Sequence, residues 1–334
     1  MGVSLRELII RHEIELKDLS GKTIAIDAFN ALHQFLALIR TRMGELLTNR
    51  KGEVTSHLIG LFTRCATLLR YNIKPIFVFD GEPPKIKKEV IEKREIIKVE
   101  AEKELQKAIE LGEFEKAKEL AARTTRITKE IIASSKTLLT ALGIPIVQAP
   151  SEAEAQCAFL VKSGIAHGVA SQDYDSLLHG AFKLIQNLSV SFRKKHRIVK
   201  PELIDLIENL NYLGIDQDQL IVLAILIGTD YNPGGIYGIG PKTALNLVKK
   251  YEKNFDALFK HVDWEKHFAL DWKEIFDTIK YMPVAKISDL EFGKINRNEA
   301  IRFLVEENDF NRERVESTIK PIIEAQSQMR LNAT

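Results

Sequence analysis

Cysteine is scarce in this chain of 334 residues, and the two that occur, Cys65 and Cys157, belong to no CxxC or CxxH pattern. Their scarcity argues against a zinc site and against a disulfide framework. Long apolar runs are also missing, because the most apolar stretch, Ile221 to Ile227, is far too short to span a bilayer. The first residues, MGVSLRELIIRHEIE, lack the apolar core of a signal peptide. We therefore expect a soluble cytoplasmic protein with no membrane partner.

An excess of one charge is missing as well, since 48 lysines and arginines face 46 aspartates and glutamates, for a net charge of +2. Hydrophobic residues make up 45% of the chain, which is enough for a full core and argues against global disorder. If several acids share one site, the remaining surface must be distinctly basic. That arrangement suits a protein that holds a polyanion near bound metal.

Three short apolar segments predict buried strands, and helical periodicity follows each of them: Thr23–Asp27, Pro75–Asp80 and Gly168–Asp173. Ile144–Val147 and Phe182–Ile185 are weaker strand candidates. Strands that alternate with helices predict an α/β fold with a mainly parallel central sheet flanked by helices.

Each of the three main predicted strands ends in an aspartate: Asp27, Asp80 and Asp173. One such residue alone indicates a turn or a helix cap. In an open α/β sheet, however, ligands bind outside the carboxyl ends of the strands. Three aspartates at three carboxyl ends are therefore expected to converge in one crevice.

Further acids follow in short motifs that also have ordinary explanations. In the segment APSEAEA, residues 149–155, Ser151 and Glu154 have the spacing of a capping box at a helix start. In SQDYDS, residues 171–176, Asp175 follows Asp173 by two positions, as in an Asx turn. Asp230 differs, because an acid after the end of an apolar helix opposes the helix dipole and needs another reason.

Metal ligation explains the whole set. Mg²⁺ prefers carboxylate oxygens, and two such ions about 4 Å apart can activate a water and stabilise the leaving oxygen of a phosphodiester. Without metal the acids would repel one another and raise some of their own pKa values, a strain that gives a structural protein no advantage. The predicted metal ligands are Asp27, Asp80, Glu152, Glu154, Asp173, Asp175 and Asp230.

Residues 85–130 carry 13 basic and 11 acidic residues, which predicts two charged helices broken near Leu111-Gly112. The segment fits a solvated hairpin with Glu–Lys pairs, and it fits a mobile arch beside the active site equally well in composition. Its start directly after Asp80 favours the arch. Lys87 and Arg94, seven residues apart, are predicted to project from one helix face about 10.5 Å apart along the axis.

The segment Gly238–Ala244 (GIGPKTA) predicts a glycine turn that enters a helix, where backbone amides could hold a phosphate. It matches neither a P-loop nor a dinucleotide motif. A helix-hairpin-helix that grips duplex phosphate is favoured over an ordinary turn. Beyond residue 200 the pattern looks all-helical, with helices predicted to start at Pro201–Leu210 and to span Asp216–Ile227 and Lys242–Lys250, and it loses periodicity after about residue 320.

Five ordered motifs give the chain a resemblance to a known family: IDA, VFDGEPP, APSEAEA, SQDYDSLL, and GTDY followed by GIGPK. They resemble the flap endonucleases of the structure-specific 5′ nuclease superfamily, in a form that looks archaeal, from Met1 to roughly Ile319. The resemblance implies a first metal held by Asp27, Asp80, Glu152 and Glu154. It implies a second metal held by Asp173, Asp175 and Asp230. Lys87 and Arg94 would position and polarise the scissile phosphate.

The same resemblance implies two Mg²⁺ per site, for which Mn²⁺ can substitute, and a K⁺ at the helix-hairpin-helix. Arg42–Thr55 would form the wedge that bends the DNA junction. His33 stands where the family has a tyrosine that stacks on a base; an imidazole can also stack, and packing against the base of the arch is an equal alternative. The implied DNA-binding residues are Gly2, His33, Thr55, Arg64, Gly238, Gly240, Lys242 and Thr243.

The family usually ends with a peptide that binds the sliding clamp (PCNA). Gln326 and Met329 fit that peptide, but Asn332 and Ala333 stand in place of its two aromatic anchors, so we expect weakened clamp binding.

The resemblance divides one compact nuclease domain into an N-terminal nuclease region (1–84), an arch (85–130), an internal nuclease region (131–230), a helix-hairpin-helix with C-terminal helices (231–320) and a flexible tail (321–334). The expected function is a 5′ flap endonuclease with 5′–3′ exonuclease activity, acting in Okazaki-fragment maturation and long-patch base excision repair, in the archaeal cytosol and associated with the nucleoid. The alternatives are a repair or recombination member of the superfamily, a non-catalytic junction binder and a small-RNA nuclease of a related fold. The last is disfavoured by chain length and by the helix-hairpin-helix.

Overall fold

A computed structural model describes residues 3–41, 44–110, 113, 119–121, 124–188, 193–194 and 197–331. Its centre is a seven-stranded sheet with the strand order β1-β9-β6-β5-β2-β3-β4. The four pairs from β6 to β4 are parallel, and β9 joins β6 and β1 in antiparallel pairs. The mainly parallel α/β sheet predicted from the sequence is therefore confirmed. The strands are β1 (His12–Glu13), β2 (Thr23–Asp27), β3 (Lys74–Phe79), β4 (Ile146–Gln148), β5 (Gly168–Ala170), β6 (Lys183–Gln186), β7 (Arg193–Lys194), β8 (Arg197–Ile198) and β9 (Glu202–Asp205).

Helices cover both faces of the sheet, because successive side chains of a strand point to opposite sides. Ile24 and Ile26 of β2 enter one buried core cluster, whereas Ala25 between them enters the other. Cys65 and Cys157 are buried in these two separate clusters and are unbonded. The sheet thus divides the interior into two layers, and its carboxyl edge remains the open side of the strands.

The described helices are α1 (Ala28–Leu38), α2 (Ser56–Arg70), α3 (Lys88–Glu110), α4 (Lys129–Ala141), α5 (Ala153–Lys162), α6 (Asp175–Leu178), α7 (Leu206–Leu213), α8 (Gln217–Ile227), α9 (Pro241–Tyr251), α10 (Phe255–His261), α11 (Trp264–His267), α12 (Trp272–Lys280), α13 (Arg297–Ile301) and α14 (Arg312–Leu331). Two 3₁₀ turns lie at Leu16–Leu19 and Lys85–Lys87, and a π-helix at Arg302–Glu307 follows α13.

Two sequence expectations about the C-terminal half need correction. The helix predicted to start at Pro201–Leu210 begins instead with strand β9, because this segment pairs in register with β6, and helix α7 starts only at Leu206. The region after residue 200 is therefore not all-helical. Helix α14 also continues to Leu331, into the segment expected to be a flexible tail. It includes Gln326, whereas the Met329 side chain, Asn332 and Ala333 lie outside the described residues.

The first helix of the charged segment is present as α3, which starts one residue after the 3₁₀ turn Lys85–Lys87. It exposes apolar side chains, with Ile96 at 60% and Ile97 at 64% of their surface. The predicted break at Leu111-Gly112 lies outside the described residues. In the part of the chain that the structure describes, no single helix is long and apolar enough to cross a membrane. Helices α7 and α8 reach that length and composition only as a pair, which is bent by 79°.

Candidate active site

The first two acids lie on neighbouring parallel strands at the carboxyl edge of the sheet. Asp27 is the last residue of β2, opposite Val78 of β3, and Asp80 follows β3 directly. Asp27 also caps helix α1, where its carboxylate accepts a hydrogen bond from the Asn30 backbone N–H at 3.0 Å. The strand register therefore brings the two carboxyl groups into the same crevice.

A tight crossing after β3 brings the third and fourth acids to the same crevice. The Gly81 N–H donates to the Ser151 carbonyl at 2.6 Å, and a Cβ at Gly81 would lie only 2.3 Å from the Ala149 carbonyl oxygen. Only glycine fits this close approach. It places the start of α5 beside Asp80, whose carboxylate accepts from the Ala153 N–H at 2.6 Å.

The predicted capping box at the start of α5 is wrong. Glu152, not Ser151, takes the cap position, and the Ser151 hydroxyl donates to the Glu82 carbonyl at 2.9 Å. The two glutamates of this motif are therefore free to serve the crevice rather than the helix end. Glu154 remains in the first turn of the helix.

The turn after β5 supplies two more acids. This strand is shorter than predicted and ends at Ala170, so Asp173 lies three residues beyond it. The Asn30 side-chain amide donates to Asp173 at 2.8 Å, and the Val3 N–H donates to Asp175 at 3.1 Å. Both carboxylates are held by donors from remote parts of the chain.

Lys87 spans the crevice as an internal cation. Its Nζ lies 2.6 Å from Glu152 Oε1 and 3.0 Å from Asp230 Oδ2, and the lysine side chain is only 18% exposed. The Tyr231 hydroxyl donates to the second oxygen of Glu152 at 2.6 Å, and Lys87 Nζ lies 5.9 Å from the Tyr231 ring centre. Asp230, at the end of helix α8, is thereby linked to the acids of the sheet edge.

Burial and the charges of neighbouring acids raise the pKa values of four of these groups, Asp27, Asp80, Glu154 and Asp175. Burial and the nearby Asp80 raise the pKa of Asp27 to about 8, and burial raises that of Asp80 to about 6. Burial and Asp230 raise the pKa of Asp175 to about 7. The pKa of Glu154 lies well above its ordinary value because of burial and then Asp27, Asp80, Glu152 and Asp175. Each of the seven predicted acids is therefore close enough to at least one other for their charges to interact.

The pKa of Lys87 is raised as well, but in a lysine this favours the charged form. Burial alone would lower its pKa, but the carboxylates of Glu152 and Asp230 raise it above the ordinary value. The ammonium group therefore offsets part of the acidic charge in the metal-free chain.

The cluster fits divalent metal through its donor chemistry, since carboxylate oxygens are the ligands that Mg²⁺ prefers. Among the described residues, however, no three Asp, Glu, His or Cys side chains form a ready-made metal cage. Protein donors occupy oxygens of Asp80, Glu152, Asp173 and Asp175, and Lys87 lies between Glu152 and Asp230. The acids therefore lie near one another, but they do not form a complete set of ligands around one metal position.

The other predicted site residues lie in different settings. Lys87 faces the crevice but ends a 3₁₀ turn, so it does not share a continuous α-helix with Arg94 as predicted. The Arg94 side chain and Gly2 lie outside the described residues. His33 lies on α1 with its side chain accessible to solvent but surrounded by protein atoms, and this environment and then Lys98 of α3 lower its pKa, while Asp173 opposes that shift.

The glycine turn is confirmed as the entry to a helix. Gly238 has a φ of 83°, Gly240 caps helix α9, and Lys242 and Thr243 lie exposed in its first turn. A Cβ at Gly238 or Gly240 would meet nothing within 4 Å, so the backbone there is open to a ligand. The neighbouring Tyr237 is 95% exposed.

Thr55 and Arg64, assigned to a DNA pocket, are both buried in the described chain, with exposures of 4% and 7%. Burial lowers the pKa of Arg64 to about 10. Both side chains are therefore largely covered by protein. Of the wedge, Arg42 and Met43 lie outside the described residues, and the remainder folds back on itself through the bridge Thr48–Val54.

Two functional side chains were missed at the sequence level. Asn30 links both halves of the site, because its backbone binds Asp27 and its amide binds Asp173. Tyr231 orients Glu152. Asn30 lies three residues after Asp27, the spacing of a helix cap, and Tyr231 follows Asp230 directly. Nothing in the local pattern indicated their distant partners.

Seven carboxylates at the carboxyl edge of an α/β sheet, with a lysine among them, define the class of metal-dependent phosphodiester hydrolases. Comparisons with known proteins give the family. The XPG N-terminal domain model matches residues 1–101, and the XPG I-region model matches residues 143–230. The flap endonuclease 1 of Thermococcus onnurineus is 46% identical over 331 residues, covering 97% of this chain and 95% of that protein. The flap endonuclease 1 of Pyrococcus furiosus is 45% identical over 331 residues, covering 97% and 96%.

Solved structures of related nucleases superpose on this chain. Flap endonuclease-1 from Methanococcus jannaschii superposes with a TM-score of 0.76 at 41% identity, covering 97% of this chain and 100% of that one. The catalytic core of Rad2 in complex with a DNA substrate gives a TM-score of 0.75 at 25% identity, with the same coverage. The chain therefore belongs to the flap endonuclease family of XPG-type nucleases.

The raised pKa values predict how stability depends on pH. A carboxyl group with a raised pKa in the folded chain binds its proton more tightly there. Its stabilising contribution is therefore present below the unfolded pKa of about 4 and is lost as the pH rises through the folded value. That loss should extend through about 6 for Asp80, 7 for Asp175 and 8 for Asp27. In EDTA, we expect a lower melting temperature at about pH 8 than at about pH 5.5, with Mg²⁺ restoring stability mainly at the higher pH.

Asp175→Asn gives the sharper comparison because an amide cannot ionise. In EDTA at about pH 8 this variant should melt above the wild type, and its pH dependence should be shallower. Asp277→Asn, which changes an exposed acid on α12, is the matched control and should follow the wild type. If the melting temperatures of Asp175→Asn and wild type depend on pH in the same way, the ionised Asp175 carboxylate does not destabilise the metal-free fold.

Tyr231→Phe tests the orientation of Glu152, because it removes only the hydroxyl that donates to this carboxylate. Loss of such a supporting hydrogen bond should weaken Mg²⁺ binding by roughly 10- to 100-fold. Calorimetric titration of Mg²⁺ without DNA measures this directly. Tyr281→Phe, at a tyrosine that is 69% exposed, is the control. Unchanged Mg²⁺ affinity in Tyr231→Phe would show that the hydroxyl has no part in the site.

Proposed function

We propose that this protein hydrolyses one phosphodiester of branched DNA at the base of a 5′ flap, and that it also removes nucleotides as a 5′–3′ exonuclease. The observation that carries this proposal is the joining of all seven acids and Lys87 in one crevice. Its relatives are named flap endonuclease 1, and the Rad2 core is described with a DNA substrate.

Two Mg²⁺ ions are the proposed cofactors, with Mn²⁺ able to replace them. Asp27, Asp80, Glu152 and Glu154 would hold one ion, and Asp173, Asp175 and Asp230 the other. When bound, such ions supply an activated water and stabilise the leaving oxygen of the phosphodiester. The same charge would relieve the repulsion that raises the carboxyl pKa values in the metal-free chain.

Lys87 has two proposed roles that follow from its position. In the free chain its ammonium pairs with Glu152 and Asp230. When the acids gain other cations, the lysine can turn to the scissile phosphate, for which an ammonium is a suitable partner. Arg94 would assist from the next part of the arch. Both residues would bind the negatively charged phosphate, which the acids themselves repel.

Substrate holding is proposed for residues outside the acidic cluster. The turn Gly238–Thr243 offers exposed backbone and the start of α9 to duplex phosphate, with a K⁺ held by backbone oxygens. His33 would stack on a base next to the cut. Gly2 would lie near the site, and Thr55 and Arg64 would contact DNA only after local opening, because both are buried here.

The cellular roles that fit this activity are Okazaki-fragment maturation and long-patch base excision repair, at the nucleoid. A sliding clamp remains a proposed partner, with weak binding expected because Asn332 and Ala333 replace aromatic anchors. A junction binder without catalysis would also need the basic surfaces. It would not need acids held under repulsion, so cleavage separates the two functions.

Cleavage of a labelled double-flap DNA tests the proposal. The wild type with Mg²⁺ should cut near the junction, and EDTA should abolish cutting. Asp175→Ala should bind the flap but lose activity by more than about a hundredfold, because even supporting residues around a metal cost 10- to 100-fold. Asp277→Ala is the control for loss of an exposed acid and should cut normally. Equal cutting by Asp175→Ala, or cutting without divalent metal, would overturn the mechanism.

A further inference from the structure

A second cavity lies at the opposite end of the sheet from the acids. It has a volume of about 420 Å³ and is bordered by the amino ends of β2 and β6 and by the loop before β5. Strand β2 spans five residues, or about 17 Å, between this cavity and Asp27. We call it the basal pocket. It is therefore separate from the crevice.

The titratable side chains that line the basal pocket are all basic, two lysines and a histidine: Lys22, His167 and Lys183. Within the described part of the chain, neither lysine forms a salt bridge, whereas Lys17, Lys200, Lys266 and Lys280 each pair with an acid. Burial, followed by the charges of Lys183 and Lys22, lowers the pKa of His167, as expected when the three groups lie near one another. Asp205 is the strand partner of Lys183 across β6 and β9, but among the described residues it forms no salt bridge with that lysine, and its carboxylate accepts a hydrogen bond from the Glu208 N–H. The pocket thus carries two lysines without a salt-bridge partner among the described residues.

An aromatic ring completes the lining. Phe182 directly precedes Lys183 and keeps 45% of its surface exposed, although large apolar side chains are usually covered. Cations beside an exposed ring offer a phosphate partner and a stacking surface at the same place. A volume of this size also lies within the range of small-ligand sites.

We propose that the basal pocket binds a 5′-nucleotide, with its phosphate held by Lys22, Lys183 and His167 and its base stacked on Phe182. The same chemistry is offered by a free nucleoside monophosphate and by the phosphorylated 5′ end of an oligonucleotide. This site is independent of flap cleavage, because none of its residues belongs to the acidic crevice.

Calorimetric titration of the full chain in EDTA tests the proposal with four probes: dAMP, a 5′-phosphorylated oligodeoxyadenylate, deoxyadenosine and inorganic phosphate. Both 5′-nucleotide probes should bind more tightly than deoxyadenosine or phosphate. Tighter binding of dAMP would identify a free nucleotide as the ligand. Tighter binding of the oligonucleotide that is weakened in Lys22→Gln/Lys183→Gln would identify a DNA end, whereas oligonucleotide binding unchanged in that variant belongs to the DNA-binding surfaces elsewhere. With either ligand, the imidazole resonance of His167, assigned by its loss in His167→Gln, should shift on binding.

Two variants test separately the lysines proposed to bind the phosphate and the Phe182 ring proposed to stack on the base. Lys22→Gln/Lys183→Gln should weaken dAMP binding by about tenfold or more, since hydrogen bonds to charged groups contribute that much. Phe182→Ala should weaken dAMP binding by about tenfold while leaving phosphate binding unchanged. Lys286→Gln/Lys320→Gln removes the same charge from exposed positions outside the pocket and is the control.

Flap cleavage should be normal in all of these variants, so this proposal and the nuclease proposal fail separately. The basal-pocket proposal is overturned if neither nucleotide binds saturably, if the His167 resonance does not move, or if the two double variants bind dAMP equally well.

Discussion

Seven carboxyl groups held against their own repulsion are the constraint on which this structure depends. Parallel strands end at one edge, and that edge places Asp27 and Asp80 side by side. Backbone and amide donors then fix individual acids, from Asn30 to Asp27 and Asp173, and from Val3 to Asp175. Because the donors to Asp173 and Asp175 come from distant parts of the chain, the crevice depends on the whole fold. Two buried layers keep the sheet rigid enough to hold it.

Lys87 lowers the electrostatic free-energy cost of the metal-free state. A buried cluster of like charges is costly, and the cost falls when some groups stay protonated or when a cation lies among them. Both occur here: the carboxyl pKa values rise, and one ammonium pairs with two carboxylates. Lys87 directly precedes helix α3, so the residue that pairs with Glu152 and Asp230 also lies where this charged helix begins.

Much of this site could be predicted from the sequence because strand ends are easy to locate. The segments TIAID and PIFVFD combine β-branched or aromatic residues with a terminal acid; the first strand ends at Asp27 as predicted, and the second ends at Phe79, one residue before Asp80. The prediction of Asp175 and Asp230 as metal ligands depended on the pattern of all the acids together. Asp175 alone is explained by an Asx turn, and Asp230 alone has no local explanation. The role of Ser151 was mistaken because a capping box is a local signal, whereas the hydroxyl binds Glu82, which lies 69 positions away in the chain. Strand β9 was mistaken for a helix because its pairing with β6 overrides local preference. Asn30, Tyr231 and the basic pocket depend on contacts between remote segments, which one sequence does not reveal.

The proton balance of metal binding tests the central claim most directly. Calorimetric titration of Mg²⁺ at about pH 7, repeated in buffers of different ionisation enthalpy, counts the protons that leave the protein. With the pKa of Asp27 near 8 and that of Asp175 near 7, the crevice should release on the order of one proton or more as the metal binds. Binding without proton release would mean that the acids are already ionised in the metal-free chain. Burial and mutual repulsion would then not raise their pKa values as described here.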